Sequence, residues 1–241
     1  MRQLIAMLLC LISSLVWSAD YAREKKWADE IAPGIVVGEP LYLTQKNGHK
    51  FLSLLTEAKD ARMALIIVHG SGMHPDWELI GVLRSQLAEQ GFATLAVQMP
   101  VLAKEAKHEA YPATFPEAAE RLQAAVNFLK AKGFGKIAIV SHSMGSRMSH
   151  AYLSKQPDPA VVAWAALGIL NDTFDGIKVP VLDLSGENDF PEIVKSTKTR
   201  ADSLKGRPDS KQIVIPNADH IFNGHEAEMV GAVKSFLDGV K

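Results

Sequence analysis

Ser141-His142-Ser143-Met144-Gly145 follows the apolar run KIAIV directly and precedes a helical pattern. A serine on such a strand–turn–helix elbow is lifted clear of the sheet, and the free N–H groups of the next helix point toward it. The turn is so tight that the positions two before and two after the serine must be small. Ser141 and Gly145 meet that demand, with Ser141 standing where glycine is usual. A hydroxyl placed this way needs a base, an acid to orient the base, and donors for the oxyanion of acyl transfer. His220, in Asn217-Ala218-Asp219-His220 after KQIVIP, is the candidate base, with His225 its nearest competitor. Asp189, in Gly186-Glu187-Asn188-Asp189 after VPVLDLS, is the candidate acid, with Asp183 and Glu187 as alternatives. His69-Gly70-Ser71-Gly72 after ALIIV offers the backbone N–H of Ser71 as one oxyanion donor, and the N–H of Met144 is the other. In that chemistry Ser143 attacks a carbonyl, His220 takes its proton and later gives it to the leaving group, and Asp189 holds the imidazole tautomer.

The elements that must position these residues show in the hydropathy pattern. PLYLTQ and FLSLLTE predict a hairpin turning at Asn47-Gly48. ALIIVHG is a continuous apolar run, which suits a strand buried on both faces. Trp77 to Gln90 reads as a helix stopped by Gly91, with His74-Pro75-Asp76-Trp77 opening it, and FATLAVQ as a strand. The helix from Pro116 ends at Gly133 and shows Ala118, Leu122, Ala125, Val126 and Leu129 on one face. KIAIVSH is a strand, MGSRMSHAYLSKQ a helix, and AVVAWAALGIL, VPVLDLSG and KQIVIP are three more strands. A last helix gathers Met229, Val233, Phe236, Leu237 and Val240 on one side. Strands alternating with helices after an opening hairpin predict a mostly parallel sheet with helices on both faces. Chemistry then collects at the carboxyl ends of the strands, where all four motifs lie. The unpatterned stretch from Met99 to Phe115 is long enough to wall an acyl pocket.

The 241 residues carry 26 Lys and Arg against 27 Asp and Glu, a balance that lacks the basic stripe a nucleic-acid binder needs. A single cysteine excludes a disulfide framework and a cysteine-rich metal site. His69 with His74, and His142 with His150, lack the third and fourth ligands that zinc requires, so neither a metal nor a cofactor is expected. Arg2 followed by the apolar run Leu4 to Trp17 and then polar residues makes a secretory signal peptide, too short to span a bilayer. The expected organisation is a signal over residues 1–19, a charge-rich, loosely attached lead-in over 20–33, and one domain over 34–241, with no membrane span in the mature chain.

HGSG, SHSMGS, GEND and DH together resemble the α/β-hydrolase superfamily over roughly residues 36–241. HGSGMHPDW followed by LRSQLAEQGFATLAVQMP is similar to a family of secreted proteobacterial α/β-hydrolase-like proteins of unknown function. The resemblance implies the α/β-hydrolase fold and an envelope location but no substrate, and with the signal peptide a periplasmic location is expected. Together with the motifs it gives the expectation of a secreted serine hydrolase acting on a small ester or thioester. Its rivals are a protein that keeps the fold as a binding module without the chemistry, and a peptidase or amidase with the same three residues. The 46 residues from Ser143 to Asp189 leave little room for a lid, so an open site is expected.

Overall fold

A computed structural model describes residues 19–155 and 157–240, so the expected signal falls outside the described residues apart from Ala19. Among these residues eight strands form one sheet: β1 (Glu39–Thr44), β2 (Lys50–Thr56), β3 (Ala64–Val68), β4 (Ala93–Val97), β5 (Ile137–His142), β6 (Val161–Leu167), β7 (Val181–Gly186) and β8 (Lys211–Ile215). Their order is β1-β2-β4-β3-β5-β6-β7-β8. The hairpin β1–β2 and the pair β2–β4 are antiparallel, and every other neighbour is parallel. Among the described residues six α-helices accompany the sheet: α1 (Tyr21–Ile31), α2 (Glu78–Glu89), α3 (Phe115–Ala131), α4 (Met144–Leu153), α5 (Pro191–Ser203) and α6 (Glu226–Asp238).

The continuous apolar strands are explained by two cores. In β3, Ala64, Ile66 and Val68 pack with the inner faces of α3 and α4, while Leu65 and Ile67 pack with α2 and α6 on the other side. Each such isoleucine, fully buried, contributes about 1.5–3 kcal/mol, so neither face of the strand can be polar. The consequence for function is positional. β3, β5, β7 and β8 run parallel, so the loops carrying residues 69–72, Ser143, Asp189 and His220 emerge along one edge of the sheet.

Three expectations change. The helix after the first parallel strand begins at Glu78, with Trp77 extended as its cap, so Pro75 and Asp76 precede it. Asp76 instead accepts from Arg84 Nη2 at 2.6 Å, a bond that ties the loop to the helix. The strand over residues 160–170 stops at Leu167, because Gly168 takes a positive φ of 55° and leaves the sheet. The lead-in is not loose. Residues 21–31 form α1, whose inward face is Glu24 and Ala28. α5 is likewise absent from the hydropathy pattern, since Ser196 and Arg200 face inward beside Ile193. No helical insertion separates β6 from β7. Among the described residues no helix is long and apolar enough to cross a membrane.

Candidate active site

Ser143 sits between β5 and α4 with φ 55° and ψ −122°. A left-handed φ at a non-glycine residue costs on the order of 1–3 kcal/mol, so the surroundings must hold it. They do so with backbone bonds: Ser143 N–H donates to Leu167 O at 2.8 Å, and Ser143 O accepts from Ser146 N–H at 2.9 Å. Gly145 lets the elbow press against the end of β3; a Cβ there would lie 2.3 Å from His69 O and 2.8 Å from Val68 O. Ser141 replaces the usual glycine without leaving an unpaired hydroxyl. It accepts from Trp164 Nε1 at 2.8 Å and donates to Ser146 Oγ at 3.0 Å.

The structure brings Ser143, His220 and Asp189 together. His220 Nε2 lies 3.0 Å from Ser143 Oγ, and His220 Nδ1 lies 2.6 Å from Asp189 Oδ1. A carboxylate only accepts, so Nδ1 carries the proton and Nε2 is left to accept from the serine hydroxyl. Asp189 Oδ1 also accepts from Phe190 N–H at 2.7 Å, which fixes the carboxylate against its own loop. The competing residues lie elsewhere. Asp183 is fully buried against Arg200 Nε at 2.8 Å, Glu187 caps Asn217 N–H at 2.9 Å, and His225 starts α6 at 3.7 Å from Glu228.

Three further residues shape the imidazole's surroundings. The Phe190 ring stacks on His220 with centroids 4.2 Å apart. His142, buried beneath the elbow, lies 2.9 Å from His220 O through Nε2, and as the donor it anchors that loop. Burial and the neighbouring His220 push the His142 pKa down to about 4, so it stays neutral. Gly168 passes beside the ring, where a Cβ would lie 2.9 Å from His220 Cε1. Gly168 and Phe190 stand beside His220 yet belong to none of the four sequence motifs. An isolated glycine closing an otherwise apolar strand was the available signal for the first.

Met144 opens α4, and Ser71 lies in the turn after β3; among the described residues neither backbone N–H donates to a protein acceptor. The turn touches the serine directly, since a Cβ on Gly70 would lie 3.2 Å from Ser143 Cβ. His69 is its strut. Nδ1–H donates to Gly70 O at 2.7 Å, and Nε2 accepts from Met99 N–H at 2.9 Å. Complete burial drives the His69 pKa down to about 3, consistent with a neutral ring in this tautomer. A cavity of about 370 Å³ opens over Ser143 and His220, walled by Met144, Leu170, Phe190 and Ile193, with Arg147 on one side. His108, Glu109 and Pro112 bring the stretch 99–115 into the same wall, within or beside a 3-10 turn over His108–Thr114. Among the described residues no group of three His, Cys, Asp or Glu side chains is placed to hold a metal ion.

A family model described as a protein of unknown function, DUF3530, matches residues 41–120. No curated protein matches the chain. Solved structures do resemble it. One is an α/β serine hydrolase without a lid from Xanthomonas campestris, 14% identical, with a TM-score of 0.67, covering 85% of this chain and 95% of that one. Another is dienelactone hydrolase from Anabaena variabilis, 19% identical, with a TM-score of 0.67, covering 83% of this chain and 96% of that one. A third is an esterase from Pyrococcus furiosus, 14% identical, with a TM-score of 0.65, covering 84% and 92%. The fold is that of the α/β hydrolases, in a form without a lid.

Proposed function

We propose that the protein is a secreted serine hydrolase of the cell envelope that cleaves a carboxylic ester or thioester through an acyl-enzyme intermediate. The observation that carries this reading is the contact chain from Ser143 Oγ to His220 Nε2 at 3.0 Å and from His220 Nδ1 to Asp189 at 2.6 Å, on a strained elbow. Ser143 attacks the carbonyl carbon as its proton passes to His220. Asp189 stabilises the imidazolium that forms, and the backbone N–H groups of Ser71 and Met144 receive the charge on the carbonyl oxygen. The imidazolium then protonates the leaving alkoxide or thiolate, and water repeats the sequence in reverse to free the acid.

The apolar wall of Met144, Leu170, Phe190 and Ile193 suits the acyl or alcohol part of such a substrate. The names of the esterase and dienelactone hydrolase among the similar structures favour an ester over an amide. Export rests on the apolar run Leu4 to Trp17 behind Arg2. The two segments that resemble a secreted proteobacterial family, residues 69–77 and 83–100, both fall inside the stretch 41–120 matched by the family model. Pre-steady-state hydrolysis of p-nitrophenyl esters tests the mechanism. The expected result is a burst of one p-nitrophenol per chain that disappears in Ser143→Ala. No burst and equal rates for both proteins would instead make the fold a binding module.

A further inference from the structure

α1 lies across the loop that follows β4 and reaches the turn that presents Ser71. Asp20 N–H donates to Val101 O at 2.7 Å, and Arg23 Nη1 donates to Leu102 O at 2.7 Å. Glu24 Oε1 accepts from Val101 N–H at 3.3 Å. From α3, Arg121 Nη1 bridges Glu24 Oε2 and Gln98 O, each at 2.9 Å. The loop so gripped holds the oxyanion turn by two routes. Through Met99 N–H it fixes His69, whose other nitrogen holds Gly70 O. Through Tyr111 it reaches Gly72, since Leu102 N–H and Gly72 N–H both donate to the Tyr111 hydroxyl, at 3.4 and 3.1 Å. α1 also lies beside the turn itself. Arg23 Nη2 lies 3.7 Å from where a Gly72 Cβ would stand, and the Trp27 ring is 5.7 Å from His74.

We propose that α1 is part of the catalytic apparatus, with Arg23 and Glu24 as positioning residues that hold the Ser71 N–H on the developing oxyanion. This rests on the serine-hydrolase reading. The turn over residues 70–74 holds two glycines and no regular structure, so its position is imposed from outside. An oxyanion donor acts only within about 2.7–3.1 Å of the charged oxygen, and a shift of about 1 Å can cost on the order of a hundredfold in rate. A buried ion pair is a poor way to gain stability, because an apolar pair of similar volume is often as good. The Glu24–Arg121 pair is nearly inaccessible, yet its two partners hold the backbone at Val101 and Gln98, which no apolar pair would do.

The test is steady-state ester turnover and fluorophosphonate labelling by Glu24→Ala, Glu24→Gln and Arg23→Met in the full mature chain. Lys25→Met, on the exposed side of the same helix, is the control and should match wild type. For Glu24→Ala and Arg23→Met, kcat should fall about tenfold or more with KM within about twofold, because the lost interaction acts only in the transition state. Glu24→Gln keeps an acceptor for Val101 N–H and should recover most of that loss. Should Glu24→Ala fail to fold, Arg23→Met, whose side chain is not buried in the core, decides alone. Folded variants with kcat within twofold of wild type, or with the loss confined to KM, overturn the proposal while leaving the hydrolase reading intact. A wild type with neither turnover nor labelling overturns both.

Discussion

A methyl group at residue 168 would occupy space that the His220 ring needs. Gly168 has φ 55°, and an added Cβ would lie 2.9 Å from Cε1 and 3.1 Å from Nδ1 of His220. The backbone strain for alanine there is about 1–2 kcal/mol, a modest stability cost. The displaced imidazole is the larger effect, since it must keep both Ser143 and Asp189 in reach. Gly168→Ala is therefore expected to lower kcat by about a hundredfold while the urea midpoint moves little; ester turnover and urea unfolding of the same preparation check it. Ser143, Asp189 and His220 were legible in the sequence because each follows an apolar run that had to be a strand. Gly168 and Phe190 were not, because they work by leaving or filling space beside His220, and chain spacing carries no record of that. The grip of His142 on His220 O was not legible either, because it depends on the distant loop after β8.

The two helices missing from the hydropathy pattern have the same cause. α1 turns Glu24 and Ala28 inward, and α5 turns Ile193, Ser196 and Arg200 inward, so charged residues stand where the 3.6 period expects apolar ones. Their partners, Arg121 in α3 and Asp183 in β7, lie on other elements, and a charge reads as solvated until its partner is placed. Asp183 and Arg200 are both fully buried, and Gln212 adds a second donor to Asp183 at 2.7 Å. Removing one member leaves the other uncompensated. Arg200→Met should thus destabilise the protein by about 3–5 kcal/mol, and adding Asp183→Leu should recover most of it. Chemical denaturation of the two variants checks this; equal stabilities for single and double variants would show that the pair does not hold α5. The parallel strands, by contrast, were legible from composition, since both faces of β3 and β5 are buried and only continuous apolar runs satisfy that.

Across the whole molecule, burial of neutral histidines sets how stability answers to acid. His69 and His142 titrate at about 3 and about 4 in the folded protein, below the ~6.5 of an exposed histidine. Between those values the unfolded chain binds more protons, so stability is lost as pH falls from about 6.5 toward about 4. Glu24 works in the opposite sense. Burial, opposed by Arg121, pushes its carboxyl up to about 7, so the pair with Arg121 is fully ionised only above that pH; below it the folded state keeps a proton the unfolded state releases, and that contribution is lost as pH rises through about 7. Comparing wild type with His142→Gln cancels the Glu24 contribution. The stability lost between pH 7 and pH 5 should be smaller in the variant by on the order of 2 kcal/mol; equal losses in urea titrations at the two pH values would contradict a neutral, buried His142. In the proposed mechanism the sheet, its strained elbow and the loops at the ends of β7 and β8 converge to make one hydroxyl nucleophilic. Treatment of the folded protein with a fluorophosphonate, followed by peptide mass spectrometry, tests it most directly. One adduct per chain is expected, on Ser143, with labelling abolished in Ser143→Ala, slowed by orders of magnitude in His220→Ala and largely kept in Ser71→Ala. A folded wild type that stays unlabelled, or an adduct on any other residue, would contradict it.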